Sequence, residues 1–164
     1  MSEFMIRPAV AEDEAAVLEV FNYYIDNSFA AYSEQREGSK FFNRLFQIAS
    51  GYPFYVAANT QNEVVGFALL HAYYGIPVFE RAARITYFIH PDHTRKGLGK
   101  LFLERLIRDA KPMGIDCILA SISSLNEPSI NFHAANGFVE CGRFKRIGRK
   151  WDKDFDEVWM QKLI

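Results

Sequence analysis

The chain has 164 residues, 49% of them apolar and 24% charged, and its 19 basic and 20 acidic side chains leave a formal net charge of −1. That length suits one domain over residues 1–164 with a proper core, and the charge balance offers no field to hold nucleic acid or an anionic membrane. No apolar run approaches the ~20 residues of a membrane span, Met1-Ser2-Glu3-Phe4 is no secretory signal, and Cys117 and Cys141 lack metal-type spacing, so a cytoplasmic protein with two buried, reduced thiols is expected.

Met5 to Val10 reads as a first strand, and Glu12, Asp13 and Glu14 suit the N-terminus of a following helix, where negative charge meets the positive dipole end. Val17, Phe21 and Tyr24, with Leu18 and Ile25 beside them, form a helical stripe. A second helical pattern in Phe41, Phe42, Leu45, Phe46 and Ala49 stops at Ser50-Gly51. Phe54 to Ala58 and Val64 to His71 flank the polar turn Asn59 to Asn62, which predicts a hairpin. After a loop with Gly75 and Pro77, Ile85 to Ile89 predicts a strand ended by Pro91. Leu98, Leu101, Phe102 and Leu106 share one helix face, with Pro112 and Gly114 past its end. Ile115 to Ile122 is a continuous apolar run and predicts a strand buried on both faces. A short helix from about Asn126 to Asn136 precedes Gly137, which suits a left-handed cap, and strands around Phe138 to Arg146 and Phe155 to Leu163 complete the chain. The order β-α-α-β-β-β-α-β-α-β-β implies a three-layer α+β domain, with a mixed, mainly antiparallel sheet of about seven strands and about four flanking helices.

Two stretches carry chemistry. Ile89 to Lys100 leaves a strand, turns at Pro91 and enters an amphipathic helix through Gly97-Leu98-Gly99. Glycines let the backbone approach a ligand, and free N–H groups at a helix start favour a phosphate, with Arg95 and Lys96 adding charge. A plain helix entry with solvated Arg95 and Lys96 fits the residues equally well. The spacing is neither a P-loop nor a dinucleotide fingerprint, since Lys100-Leu101 follows the glycines and Phe102 occupies the place of a third glycine. In the second stretch, Asn126, Ser129 and His133 fall on one helix face, either a functional polar stripe or a solvent-facing one.

Together these stretches resemble the acetyl-CoA-dependent N-acetyltransferase superfamily, GNAT, over almost the whole chain from Ile6-Arg7-Pro8-Ala9 to the last strand. Val20-Phe21-Asn22-Tyr23-Tyr24, Asn126-Glu127-Pro128-Ser129, His133 four residues before Gly137-Phe138, and the tail Gly142-Arg143, Ile147 to Trp151 and Met160-Gln161 are most similar to the phosphinothricin acetyltransferase group. The resemblance implies acetyl-CoA as co-substrate, no metal, and transfer to a primary amine of a small molecule such as an amino acid or an analogue. It implies that the fourth and fifth strands part around the pantetheine arm, contacted by the backbone of Tyr87, Phe88 and Ile89. It further implies pyrophosphate binding by Arg95, Lys96, Gly97, Leu98, Gly99 and Lys100, and contacts to the cofactor arm from Asn126 and Ser129. His133 stands where many relatives have a tyrosine that protonates the departing thiolate.

Two departures from the family matter. Thr94 replaces the motif's usual Gln or Arg, with Arg95 beside it, and Arg84 replaces the glutamate that serves phosphinothricin-type enzymes as base. A guanidinium cannot take a proton at neutral pH, so His71 becomes a candidate base and Arg84 a candidate anchor for a substrate carboxylate. Phe29 and Tyr74 are expected to wall the acceptor site, although core or dimer contacts explain such aromatics as well. Arg143 to Trp151 mixes basic and aromatic residues as nucleic-acid binders do, but under the resemblance it is the terminal hairpin beside the acceptor site. A homodimer is the expected assembly. The rival readings are acetylation of a polyamine or a protein N-terminus, and an acyl-CoA-binding protein without turnover.

Overall fold

A computed structural model describes residues 3–164. Strands β1 (Met5–Pro8), β2 (Phe54–Ala58), β3 (Val64–Ala72), β4 (Ala82–Ile89), β5 (Cys117–Ser123), β6 (Val139–Lys150) and β7 (Lys153–Leu163) form one sheet in the order β1-β2-β3-β4-β5-β7-β6. Every neighbouring pair is antiparallel except β4 and β5. Helices α1 (Glu14–Asn27) and α2 (Ser39–Ile48) cover one face, and α3 (Leu98–Ala110) and α4 (Glu127–Ala135) the other. The expected order and the mixed seven-stranded sheet with four helices are borne out.

Alternation along β3 divides the core between the two faces. Phe67 and Leu69 pack with Val17, Val20 and Ile25 of α1 and Phe42 of α2, whereas Ala68 and Leu70 pack with Leu98, Phe102 and Leu106 of α3. Asp13, one of the acids expected at the start of the first helix, is its N-cap residue and is buried. Arg7 donates to its two carboxylate oxygens at 2.7 and 2.8 Å and the Val10 N–H at 2.9 Å, which ties β1 to the entry of α1.

The β6–β7 hairpin turns through Trp151 and Asp152, both at positive φ (49° and 58°), a conformation that suits the twist of a two-residue hairpin but is strained for non-glycine residues. What holds it is the preceding Lys150, whose side chain is fully buried. Its ammonium donates to the carbonyls of Ile25, Ser28 and Ala31 at 2.8, 2.7 and 2.8 Å and lies 4.3 Å from the Trp151 ring centre. Ile25 belongs to the last turn of α1, whose carbonyls have no partner within the helix, so the lysine closes that end and complements its negative dipole.

Several expectations are corrected. β1 ends at Pro8, while β6 runs to Lys150. β5 is buried along the face of Ile118, Ala120 and Ile122, while on the other face Leu119 and Ser121 stay half-exposed and burial returns only at Ser123. The reason is that β4 and β5 pair only at Ala82↔Cys117, Ala83↔Ile118 and Arg84↔Leu119, then diverge and leave that face of β5 open. Cys117 is half-buried, and Cys141 is exposed on the edge strand β6, so the thiols are not both core residues. Basic residues of the hairpin are paired with acids, Arg143 with Glu140, Lys145 with Asp156, and Arg146 and Arg149 with Asp154, which leaves no free basic stripe there. Among the described residues no helix is long and apolar enough to cross a membrane.

Replacing Lys150 by Met would leave three carbonyls without their donor. The substitution should cost about 3–5 kcal/mol, measured as a lowered denaturation midpoint, whereas a substitution at exposed Lys153 should cost little.

Candidate active site

The divergence of β4 from β5 creates a V-shaped opening. It begins past Arg84 and Leu119 and widens over Ile85 to Ile89, a depth of roughly 17 Å at a strand's rise per residue. The chain leaves β4 through a short turn at Pro91 to His93, and α3 begins at the wide end of the V. Arg95 and Gly97 both adopt left-handed conformations, at φ 60° and 84°, and Gly97 is the N-cap. The first intrahelical bond runs from the Leu101 N–H to the Gly97 carbonyl, so the N–H groups of Leu98, Gly99 and Lys100 have no partner within the helix. An open-sided groove ending on such donors fits a long, narrow ligand with a phosphate end.

The two glycines have separate tasks. A Cβ on Gly97 would meet open space, so that residue serves the backbone turn. On Gly99 a Cβ would stand 3.2 Å from the Phe132 ring of α4, so this glycine lets α3 and α4 approach. Lys96 pairs with Glu3 at 3.6 Å and Lys100 with Glu104 at 3.7 Å, while Arg95 has no acidic partner among the described residues.

On the α3–α4 side of the V, Tyr87 donates its hydroxyl to His133 Nε2 at 2.5 Å. His133 Nδ1–H donates to the Ser129 carbonyl at 2.7 Å, with the Ser129 hydroxyl 3.3 Å away. A carbonyl only accepts, so the neutral ring carries its proton on Nδ1 and Nε2 must accept from Tyr87. His133 is 3% exposed, and burial holds its pKa below the usual range, as burial pushes the Tyr87 hydroxyl far up. Both ring nitrogens expected to serve a proton donor are therefore engaged within the chain. The geometry of His133 fixes the Tyr87 ring. Of the expected arm-binding strand, Phe88 faces the α1–α2 layer, and the Ile89 carbonyl already accepts from the Tyr24 hydroxyl at 2.5 Å, a group pushed up to about 12 by burial. Asn126 is the N-cap of α4 but makes no side-chain cap bond.

On the α1–α2 side, the narrow end of the V carries a polar cluster within aromatic walls. Arg84 lies 5.0 Å over the Trp159 ring and pairs across the sheet with His71. Burial and the Arg84 charge hold His71 below its usual pKa, and its Nδ1–H donates to the Ala72 carbonyl at 3.1 Å. Arg84 forms no ion pair with Glu80 or any other described acid. Glu157 accepts from the Ser121 hydroxyl and, at 3.1 Å, from Trp159 Nε1–H. The Tyr32 hydroxyl reaches Ser121 and senses both Glu157 and Arg84. Phe29 packs edge-on to Trp151 at 5.3 Å, and Tyr32 stacks on Phe155 at 5.4 Å. Tyr74, expected in this wall, is 67% exposed and packs on Phe79; Tyr73 is the loop residue that reaches Trp159, at 6.3 Å.

Ser121, Glu157 and Trp159 were not singled out in the sequence, although Ser121 and Ser123 place hydroxyls at alternate positions of an otherwise apolar strand and so mark one polar face. Among the described residues no group of three or more His, Cys, Asp or Glu is arranged to hold a metal.

A seven-stranded sheet that parts beside a phosphate-suited helix start, with a polar cluster at the base of the split, is shared with acyl-group transferases, as the family match and the relatives show. Residues 17–138 match the Acetyltransferase (GNAT) family, and the chain belongs to that family. It is 31% identical over 161 residues to an L-amino acid N-acyltransferase of Escherichia coli, covering 95% of this chain and 91% of the relative. It is 27% identical to a phosphinothricin N-acetyltransferase of Streptomyces viridochromogenes, covering 92% and 87%. Among solved structures, a phosphinothricin acetyltransferase from Sinorhizobium meliloti in complex with acetyl-CoA superposes with a TM-score of 0.92 at 27% identity, over 99% of this chain and 89% of the other.

Because both His133 and His71 are held below the ordinary pKa, the unfolded chain binds more protons as acidity rises, so stability falls as pH drops through about 6.5. Nitrogen NMR should find His133 neutral at pH 7, with its proton on Nδ1. Gly99→Val should lower the denaturation midpoint by forcing the Phe132 ring aside, at about 1–3 kcal/mol.

Proposed function

We propose that the protein transfers the acetyl group of acetyl-CoA to the primary amine of an amino acid or amino-acid analogue, by direct attack without a covalent enzyme intermediate. The observation that carries this reading is the parting of β4 and β5 just past Arg84 and Leu119, with the start of α3 at its wide end. Family membership and relatives named for amino-acid or phosphinothricin acylation support it. Acetyl-CoA, when bound, supplies an activated acyl group as a thioester.

The residues from Arg95 to Lys100 would hold the pyrophosphate through main-chain donors, with the left-handed Gly97 aiming them and the unpaired Arg95 adding charge. The β4 edge at Tyr87, Phe88 and Ile89 would accompany the arm, with Asn126 and Ser129 on the facing helix. His133 acts as a positioning residue that keeps Tyr87 upright beside the split. At the narrow end Arg84 would take the acceptor's carboxylate with its paired donors, and its charge would lower the pKa of the adjacent ammonium. Neutral His71 borders this anchor without adding like charge. Phe29, Tyr32 and Trp151 would exclude water on the far side. Such an enzyme fits a cytoplasmic setting, and a second copy of the chain is the partner this reading expects.

Thiol release from acetyl-CoA should occur with amino acids and fall with amines that lack a carboxylate. Arg84→Gln should raise KM for amino-acid acceptors by about 10- to 100-fold, the worth of a charge-assisted hydrogen bond, while sparing carboxylate-free amines. Equal loss for both acceptor types would remove the anchor role.

A further inference from the structure

The missing β4 carboxylate leaves the proton of the incoming ammonium without an assigned acceptor, and the fold supplies a carboxylate on a different strand. We propose that Glu157 of β7 binds the ammonium of the acceptor and takes its proton, an assignment that rests on the acetyl-transfer reading.

Position is the first argument. The last β4–β5 pair on this face is Arg84↔Leu119, and Ser121 is the next residue of β5 whose side chain faces the same way. Glu157 reaches across from β7 to that very serine, so its carboxylate borders the narrow end of the split. His71 lies on β3, on the other side of β4, with Nδ1–H committed to Ala72.

Orientation is the second. One oxygen of Glu157 accepts from Ser121 and the other from Trp159 Nε1–H, so both are fixed, and neither donor is charged. A carboxylate offers about four acceptor sites, which leaves capacity on each oxygen for an ammonium. The groups facing it are Ser121 of β5, Trp159 of β7, Tyr32 of the α1–α2 connection and Arg84 of β4. Arg84 is the one cation in this cluster, and it lies over the Trp159 ring instead of pairing with the acid. A cation over the face of one indole and an anion at its N–H edge, not paired with each other, match the two charges of a free amino acid.

The ammonium gives one proton to Glu157, and the neutral amine forms the N–C bond at the thioester carbonyl. The C–S bond then breaks, the sulfur leaves with the electron pair, and the second nitrogen proton neutralises the thiolate. Glu157 returns its proton to water. Acetyl-CoA and an ammonium thus yield an amide, a thiol and one proton.

Glu157→Gln keeps both hydrogen bonds, because an amide accepts from Trp159 and can exchange a bond with Ser121, so the fold should persist. Calorimetry on the protein without acetyl-CoA should find amino-acid binding weakened in E157Q and partly kept in E157D, with acetyl-CoA affinity unchanged in both. In steady-state assays from pH 6.5 to 10, E157Q should lose about 10²–10⁴-fold in kcat/KM for the amine at pH 7. Its rate should then rise about tenfold per pH unit as free amine accumulates, closing on the wild type near the amine's own pKa. Wild-type amine binding and kinetics in E157Q would overturn the assignment, as would a loss of the same factor at every pH. So would the pH-dependent loss appearing in H71N and not in E157Q. A wild-type protein that releases no thiol with any amine would instead sink the acetyl-transfer reading, and this proposal with it.

Discussion

The ammonium of Lys150 is the contact on which the acceptor side of the molecule depends. Burying a charge costs several kcal/mol unless its donors are all satisfied, and here three carbonyls from one short stretch of chain do so. The consequence is geometric. The end of α1 and the connection that carries Phe29 and Tyr32 are clamped to the tip of the β6–β7 hairpin. The Trp151 N–H adds a bond to Glu34 at 2.5 Å, and the Phe29 and Trp151 rings meet above the lysine. A strained turn, a helix end and an aromatic wall thus meet at one side chain.

The second constraint is the divergence of β4 and β5, which exposes backbone groups that an intact ladder would pair. The fold meets that cost locally. The Tyr24 hydroxyl takes the Ile89 carbonyl from the α1 side, and the His133–Tyr87 bond braces the strand from the α4 side. Gly99 then allows Phe132 to press against α3, so α4 and α3 close around the wide end without filling it. A buried histidine that binds a tyrosine therefore serves the opening as a brace, and its neutrality follows from the same burial.

Much of this fold was legible in the sequence because its signals are local. The apolar spacing of Leu98, Phe102 and Leu106, the hairpin turn at Asn59 to Asn62 and Gly137 after α4 each specify an element without help from elsewhere. The loop from Arg95 to Gly99 was legible as a motif, though not the division of labour between Gly97 and Gly99, which depends on a phenylalanine 33 residues away. What local pattern cannot supply is the pairing of distant strands. Glu157 opposes Ser123 on β5 and reaches Ser121 only because β7 inserts between β5 and β6. Lys150 sits in a run that mixes basic and aromatic residues, and only the tertiary fold brings it under the end of α1. Both residues are polar side chains in strands, a type whose environment is set by topology.

Charge distribution makes the case for the site independently of any motif. Eight of the eleven arginines have a carboxylate partner: Arg7, Arg36, Arg81, Arg105, Arg108, Arg143, Arg146 and Arg149. The three without one among the described residues are Arg44 on α2, Arg95 at the start of α3 and Arg84 at the narrow end of the split. A chain with near-equal numbers of acids and bases has a partner available for almost every cation, so an unpaired guanidinium is a position where pairing within the chain has not occurred. Two of the three fall at the two ends of one groove, one beside free helix N–H groups and one over an indole, each in a place suited to an anion that comes from outside. Glu157 completes the arrangement from the other side, since its carboxylate is held by a hydroxyl and an indole N–H and not by a cation. Had it paired with Arg84 the two charges would have cancelled and the cleft would present a neutral wall. Each instead uses Trp159, the guanidinium at the ring face and the carboxylate at the indole N–H, so both charges remain uncancelled on one face of the sheet.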